Sequence, residues 1–299
     1  MKRAVSISIG TSKRDKTIEI QLLGQDVRLE RIGTDGDMEK AAQLFRELDG
    51  KVDAFGVGGA DLGVLVDRKW YPLYTVQPMI RYVSQTPVVD GAGIKNTLEN
   101  RVVPFMQSVI GDYLIEKKAF ITLGVDRWGM TQSFLNGGFD CIFGDFMFGL
   151  GLPIPLRSER ALKIVAALMM PVAGRLPFKW VYPTGEKQEI RDPKWGKYYH
   201  WAKVIAGDCH YLKRHMPELL VDKVIVTNTT TEGDKALFRS AGVKYMITTT
   251  PVMDGRSFGA NVLEAALIAI SGKKRKLSQE ELNVLLNELG IEPQLMELN

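Results

Sequence analysis

The 299-residue sequence predicts an α/β protein of two related halves, each built on a parallel sheet, with a cleft between them. Three observations carry this expectation. A block of sequence occurs twice, short β-branched runs alternate with helical patterns that end in glycine, and the length is about twice that of an ordinary domain.

The repeat comes first, because a duplicated unit fixes architecture before any single motif is weighed. Thr86-Pro87-Val88-Val89-Asp90-Gly91 recurs as Thr250-Pro251-Val252-Met253-Asp254-Gly255, and each copy is followed by Asn-x-Leu-Glu, at Asn96 to Glu99 and at Asn261 to Glu264. Weaker echoes pair the strand opening at Ala4 with that at Ala119, and Lys51-Val52 with Lys223-Val224. The halves therefore correspond as residues 1–115 and 116–270, with a linker and helix over 271–299.

In the first half, residues 2–9 read as a strand, while 17–23 and 27–32 alternate with period two about Gly24-Gln25-Asp26 and predict a hairpin. Thr34-Asp35-Gly36-Asp37 offers a cap for a helix through Leu48, with Gly50 beyond its end. A strand over 52–57 stops at Gly58-Gly59, and 62–67 looks extended. The second half places strands at 119–123, 141–143, 204–206, 224–227 and 245–249, with a helix over 234–240 before Gly242. This strand and helix alternation reads as Rossmann-like. Residues 161–170 are apolar all round and meet Pro171, which predicts a buried helix ending there. Residues 174–202 interleave Phe178, Trp180, Tyr182, Trp195, Tyr198, Tyr199 and Trp201 with six basic residues, an insertion or a lid. After Lys273-Lys274-Arg275-Lys276, Ser278-x-x-Glu281 forms a capping box for a last helix that stops at Gly290 and packs back across the body.

Bulk properties exclude several classes. A 45% hydrophobic content rules out a disordered chain, and a net charge of +4 with no nucleic-acid-binding motif implies no polyanionic partner. A small-molecule partner is expected, and a homodimer stays open. No run approaches the ~18 apolar residues of a membrane span, and the opening residues are too short and alternating for a signal core, so the expected location is cytoplasmic. Cys141 and Cys209 read as buried thiols of a reducing compartment. His200, His210 and His215 lack metal-ligand spacing, so no metal is expected.

Ligands of parallel sheets bind beyond the carboxyl ends of the strands. Asp90 and Asp254 occupy matching strand-to-helix turns, where an aspartate either caps the helix or meets a ligand. Arg256, with Ser257 beside it, directs the second copy toward a carboxylate or phosphate. Thr229-Thr230-Thr231 and Thr248-Thr249-Thr250 end neighbouring strands, so their hydroxyls and the Asn228 amide could converge on one polar ligand. Gly56-Val-Gly-Gly-Ala leads into an extended segment and lacks the helix a dinucleotide turn needs. Gly124-Val125-Asp126-Arg127-Trp128-Gly129 does lie between strand and helix, and Asp145 follows about 20 residues later, where a ribose-binding acid falls.

Arg3-Ala-Val-Ser-Ile-Ser-Ile-Gly-Thr-Ser-Lys-Arg-Asp15, Lys223-Val-Ile-Val-Thr-Asn-Thr-Thr-Thr231 and Ile247-Thr-Thr-Thr-Pro-Val-Met-Asp-Gly-Arg-Ser-Phe-Gly259 resemble bacterial quinate 5-dehydrogenases over nearly the whole chain. Asp90-Gly91-Ala92-Gly93-Ile94 with Leu98 is similar to the Asn-Thr-Asp-Gly-x-Gly motif of shikimate and quinate dehydrogenases. Those enzymes have two α/β domains, bind NAD(P), and set a lysine and an aspartate about the substrate hydroxyl. The resemblance implies Asp90 as the acid, with Lys95 or Lys13 near the reacting hydroxyl and Arg256 holding the substrate carboxylate beside Thr250, Asp254 and Ser257. NAD or NADP would then lie against Gly124, Asp126, Arg127, Gly129, Asp145, Asn228, Thr229 and Thr230. The expected activity is NAD(P)-dependent oxidation of a hydroxylated carboxylic acid such as quinate or shikimate. Two other readings stay open: a transferase or lyase closing on a phosphate- or sugar-containing ligand through Arg127, Arg256 and the threonines, and a ligand-binding protein without catalysis. Fold alone does not choose among them.

Overall fold

The computed structural model describes residues 1–178, 191–253, 256–257 and 259–299. The first unit opens with β1 (Lys2–Ser8), β2 (Lys16–Leu22) and β3 (Gln25–Gly33). Leu22 pairs with Gln25 in the antiparallel β2–β3 hairpin, so the turn is Leu23-Gly24, both at positive φ, rather than the Gly24-Gln25-Asp26 of the alternation. Such a two-residue turn matches the twist of its strands. Next come α1 (Met38–Leu48), begun by the Asp37 side chain accepting from the Lys40 amide, then β4 (Ala54–Gly58), an antiparallel pair β5 (Gly63–Val66) and β6 (Lys69–Pro72), and β7 (Val88–Val89). The sheet order is β2-β3-β1-β4-β7, parallel from β3 onward. Because side chains alternate along a strand, Val5 and Ile7 of β1 meet Phe45 of α1 on one face while Ala4 points to the other.

The chain continues through α2 (Ala92–Asn100), α3 (Val102–Ile110), β8 (Lys118–Ile121), α4 (Trp128–Asn136), β9 (Asp140–Phe143), α5 (Asp145–Leu150) and α6 (Glu159–Ala173). Then follow α7 (Gly196–Trp201), β10 (Val204–Ala206), α8 (Cys209–His215), β11 (Val224–Thr227), α9 (Glu232–Ser240) and β12 (Tyr245–Thr248). A small pair, β13 (Val252–Met253) and β14 (Arg256–Ser257), leads to α10 (Ala260–Ser271), α11 (Gln279–Glu288) and β15 (Gln294–Glu297). The second sheet runs β9-β8-β10-β11-β12, all parallel, and is edged by antiparallel β15. The molecule is thus an α/β protein of two parallel-sheet units, as the sequence predicts. Both cysteines are free buried thiols, and burial pushes each up to about 12.

Three features depart from local expectation. Helix α10 follows the parallel strands of the second sheet in sequence but lies on the first, where Leu263, Ala266, Leu267 and Ile270 pack with Ala4, Leu29 and Ala54. A helix apolar all round needs cover on every side, and α10 finds it against the first sheet and α2, with Leu282 and Leu286 of α11 in the same core. Helix α6 runs through Pro171 to Ala173 and buries only Leu162 and Ala166 fully. Pro171 supplies no amide to the Ala167 carbonyl four residues back, and the helix ends within a turn of it. Of the 174–202 stretch, residues 179–190 lie outside the described residues. Its far end is core: Tyr199 is fully buried and Tyr198 stacks on Phe120 at 5.6 Å.

The repeated Asn-x-Leu-Glu builds the same joint twice. In α10, Glu264 accepts the Gly93 and Ile94 amides that open α2 (3.0 and 3.3 Å), and the Asn261 backbone crosses Gly91, where a Cβ would lie 2.5 Å from the Asn261 nitrogen. In α2, Glu99 accepts the Met130 amide that opens α4, and Asn96 crosses Gly129, where a Cβ would lie 2.5 Å from the Asn96 carbonyl oxygen. Each glutamate neutralises the positive end of the next helix. Each glycine permits the crossing.

Two outcomes follow from these joints. Gly129→Ala lowers stability by about 1–3 kcal/mol through overpacking, whereas Gly149→Ala, with open space beside it, is neutral or mildly stabilising in chemical denaturation. Glu264 is raised from its ordinary 4.5 to about 7, chiefly by burial and then by Asp90. The folded state therefore binds the extra proton, and the stability it confers is full below about 4.5 and lost as pH rises through about 7. Across that window the wild type loses roughly 3 kcal/mol that Glu264→Gln does not lose, measured as the difference between their unfolding free energies.

Candidate functional site

Strand order reverses direction between β8 and β10 in the second sheet and between β1 and β4 in the first. These reversals open crevices at the carboxyl ends of the strands. The loops following β4, β8 and β10, together with α2, bring a seam of charged side chains to that edge.

Its fixed point is Arg127, which precedes α4 and is 7% exposed at its side chain. Nη1 donates to Glu99 Oε1 (2.8 Å), Nη2 donates to Asp208 Oδ2 (2.7 Å), and Nε lies 3.3 Å from Asp126 Oδ2. Burial alone would lower the guanidinium pKa, but Glu99, Asp208 and Asp126 outweigh it and raise it. Burial likewise opposes ionisation of Asp208, yet Arg127 and the His210 amide hold its carboxyl below the usual range. Asn228 Nδ2 donates to the same Asp208 oxygen at 2.6 Å, while its Oδ1 accepts from the Cys209 amide.

Beside this seam stands Lys95 of α2, its Nζ 3.9 Å from Asp126 Oδ2. It shares a cavity of about 10 Å³ with Asp61, Gly63, Val64, Leu65, Ala92, Asn96 and Asp126. That is room for one water. Burial and then Arg127 would lower the lysine pKa, but Asp126, Asp61 and Glu99 raise it, so Lys95 is an ammonium. Asp61 is raised, mainly by burial and further by Asp126 and Asp90, against the pull of Lys95 and Arg127. Two carboxylates thus share the field of one lysine.

The expected site residues divide. Lys95, Asp126 and Arg127 meet in the seam. Asp90 turns both oxygens to backbone: Oδ2 accepts from the Leu62 amide (2.6 Å) and Oδ1 from the Ala92 amide (3.1 Å). Lys13 stands exposed on the single turn after β1 and does not line the Lys95 cavity. Asp145 accepts the Gly124 and Val125 amides (3.0 and 2.9 Å), and burial pushes it up to about 6. A Cβ on Gly124 would meet Phe143 at 2.8 Å, and Gly129 is closed by Asn96. Asn228, Thr229, Thr230 and Thr250 line a depression of about 130 Å³ with Lys235, Thr248 and Gln294 over a floor of Met246, Leu295 and Met296. There Thr250 Oγ1 donates to Thr229 Oγ1 at 3.0 Å. Arg256 and Ser257 form β14 opposite Met253 and Val252, and Asp254 lies outside the described residues.

Sequence reasoning passed over Asp61, Glu99 and Asp208 as site residues. Asp61 closes the glycine-rich loop after β4, and Glu99 is an acid on a buried helix, inside the repeat. A search for the counter-ions of Arg127 would have found the latter. Among the described residues no group of histidine, cysteine and carboxylate side chains is placed to hold a metal, and no helix is long and apolar enough to cross a membrane. Replacing Arg127 by Met leaves Glu99 and Asp208 buried without their cation and costs about 3–5 kcal/mol. Adding Glu99→Gln restores part of that loss in equilibrium unfolding.

Residues 3–90 match a family described as Domain of unknown function (DUF8753). No curated protein matches the chain. Similar solved structures include a malic enzyme of Entamoeba histolytica (9% identity, 85% of this chain and 52% of that chain, TM-score 0.40) and a periplasmic ribose ABC transporter from Conexibacter woesei (11%, 96% and 94%, 0.38). A further one is GanP, a glucose-galactose binding protein from Geobacillus stearothermophilus (8%, 99% and 97%, 0.36). Likeness this distant carries no argument about ligand or chemistry. Residues 93–298, which span α2 to β15, match a second family model, and the chain belongs to that family, described as Domain of unknown function (DUF8754).

Proposed function

We propose that the chain binds a small hydroxylated acid where the carboxyl edges of its two units meet, with Lys95, Asp61 and Asp126 receiving it. The observation that carries this reading is the position of Lys95, between an acid from the loop after β4 and one from the loop after β8, beside the same cavity. An ammonium and two carboxylates offer both donors and acceptors to a hydroxyl, and the ammonium also meets a ligand carboxylate. The neighbouring depression lined by Asn228, Thr229, Thr230 and Thr250 extends the polar edge. Admitting more than a water to the Lys95 cavity requires β5 to move, because Gly63, Val64 and Leu65 form part of its wall.

Oxidation of a quinate- or shikimate-like acid is the catalytic form of this reading, favoured by the lysine and carboxylate set. The acid beside Lys95 is then Asp61 or Asp126, since Asp90 is committed to backbone amides. NAD or NADP does not fit the turn expected to hold it. The Gly124 and Val125 amides already serve Asp145, whose carboxylate stands where a phosphate would bind. The transferase or lyase reading would ask Arg127 for an anion contact, and its guanidinium is engaged by three carboxylates.

Calorimetric titration with quinate, shikimate, NADH and NADPH tests the proposal. A hydroxy acid binds the wild type, and Lys95→Met weakens it at least about tenfold, the loss of one charge-assisted hydrogen bond. Heat from NADH or NADPH in the same cell supports the oxidoreductase form. No heat from any hydroxy acid at millimolar concentration, or equal affinity in Lys95→Met, overturns the assignment.

A further inference from the structure

We infer that the depression beside β12 and β15 is a binding site of its own, for a purine ring carried by a nucleoside or a nucleotide. Its floor follows from strand register. In the antiparallel pair Met246 stands opposite Met296, and Thr248 stands opposite Gln294. Side chains alternate along a strand, so these two pairs share one face, while Ile247 and Leu295 pack with the core on the other. That face is a methionine rung followed by a polar rung. Leu237 and Phe238 of α9 pack in the same core as Met246 and Met296, and the mouth opens between Lys235 of that helix and the loop after β11.

The polar groups around the mouth divide into two sets. Asn228 engages both ends of its amide with Asp208 and the Cys209 backbone, and Thr250 donates to Thr229. By contrast, the Thr230 and Thr248 hydroxyls and the Gln294 amide hydrogen-bond no other group among the described residues. Lys235 donates to the exposed Glu232 and keeps its other hydrogens. Two hydroxyls, an amide and an ammonium thus ring an apolar floor. The volume of about 130 Å³ gives room for on the order of ten waters, comparable with one bicyclic base.

A flat aromatic ring suits that floor, because methionine sulfur attracts aromatic rings. The rim suits a ligand whose edge alternates donors and acceptors. A hydroxyl both donates and accepts, and glutamine sets a donor beside an acceptor, the pairing that matches the amino group and neighbouring ring nitrogen of adenine. Lys235 repels a cationic ligand and meets a ring acceptor or a phosphate. A sugar matches the rim but not the methionines. An aromatic acid matches the methionines and Lys235 but leaves Thr230, Thr248 and Gln294 without partners.

Calorimetric titration of the full chain with adenosine, AMP, ribose and 4-hydroxybenzoate tests the site. Adenosine and AMP bind the wild type, and Thr248→Val combined with Gln294→Met weakens both at least about tenfold with unchanged circular dichroism, since both changes keep side-chain size and remove only hydrogen bonds. Tighter binding of AMP that Lys235→Met brings back to the level of adenosine supports a nucleotide as the source of the ring, and equal binding supports a nucleoside. Lys95→Met leaves adenosine binding unchanged, so a failure of hydroxy acids to bind and a failure of adenosine to bind are separate outcomes. No heat from adenosine or AMP at millimolar concentration, or unaltered affinity in the double variant, overturns the inference. So does ribose binding as tightly as adenosine, which assigns the depression to a sugar, or 4-hydroxybenzoate binding where adenosine does not.

Discussion

The guanidinium of Arg127 is the constraint on which the arrangement of the two units depends. It reaches Glu99 on α2 and Asp208 at the mouth of β10, while its own backbone opens α4. None of these charges could be buried alone, since an unpaired buried ion costs several kcal/mol. Together they fix the relative places of α2, α4 and α8. Lys95, one turn before Glu99 on the same helix, inherits its position from that fixation. The polar edge is therefore a by-product of how the units are fastened, and its geometry is as rigid as the seam.

The helix joints supply the rest of the fastening. Asn261 over Gly91 and Asn96 over Gly129 bring backbones closer than any side chain permits, and Glu264 and Glu99 satisfy amides that such close packing hides from water. A repeat in sequence has become a succession in space, from α10 to α2 to α4. Duplication here preserved a contact rather than a ligand site.

Local signals were legible and nonlocal ones were not. The strands at Val204–Ala206 and Val224–Thr227 stand where β-branched runs put them, and Ser278 with Glu281 caps α11 as the spacing requires. These depend on neighbours in sequence. The destination of α10 depends on which sheet has an uncovered face, which no window of sequence contains. Asp90 shows the same limit at the site: strand, turn and helix around it were readable, but its bond to the Leu62 amide comes from a loop 28 residues away. Asp126 and Arg127 were found because they follow the end of a strand, and Lys95 through the resemblance to shikimate and quinate dehydrogenases. Asp61 needed the chain to close before it could meet them.

The placement of α10 also dictates an order of events during synthesis. Residues 1–100 leave the ribosome with one face of their sheet incompletely covered, because the helix that covers Ala4, Leu29 and Ala54 is encoded after all the parallel strands of the second unit. Domains ordinarily mature from the N-terminus as they emerge. Here the first unit must wait, exposed to chaperones and to its own unfinished neighbours, until α10 arrives, and it is the second unit, closed soon afterward by β15, that completes the molecule.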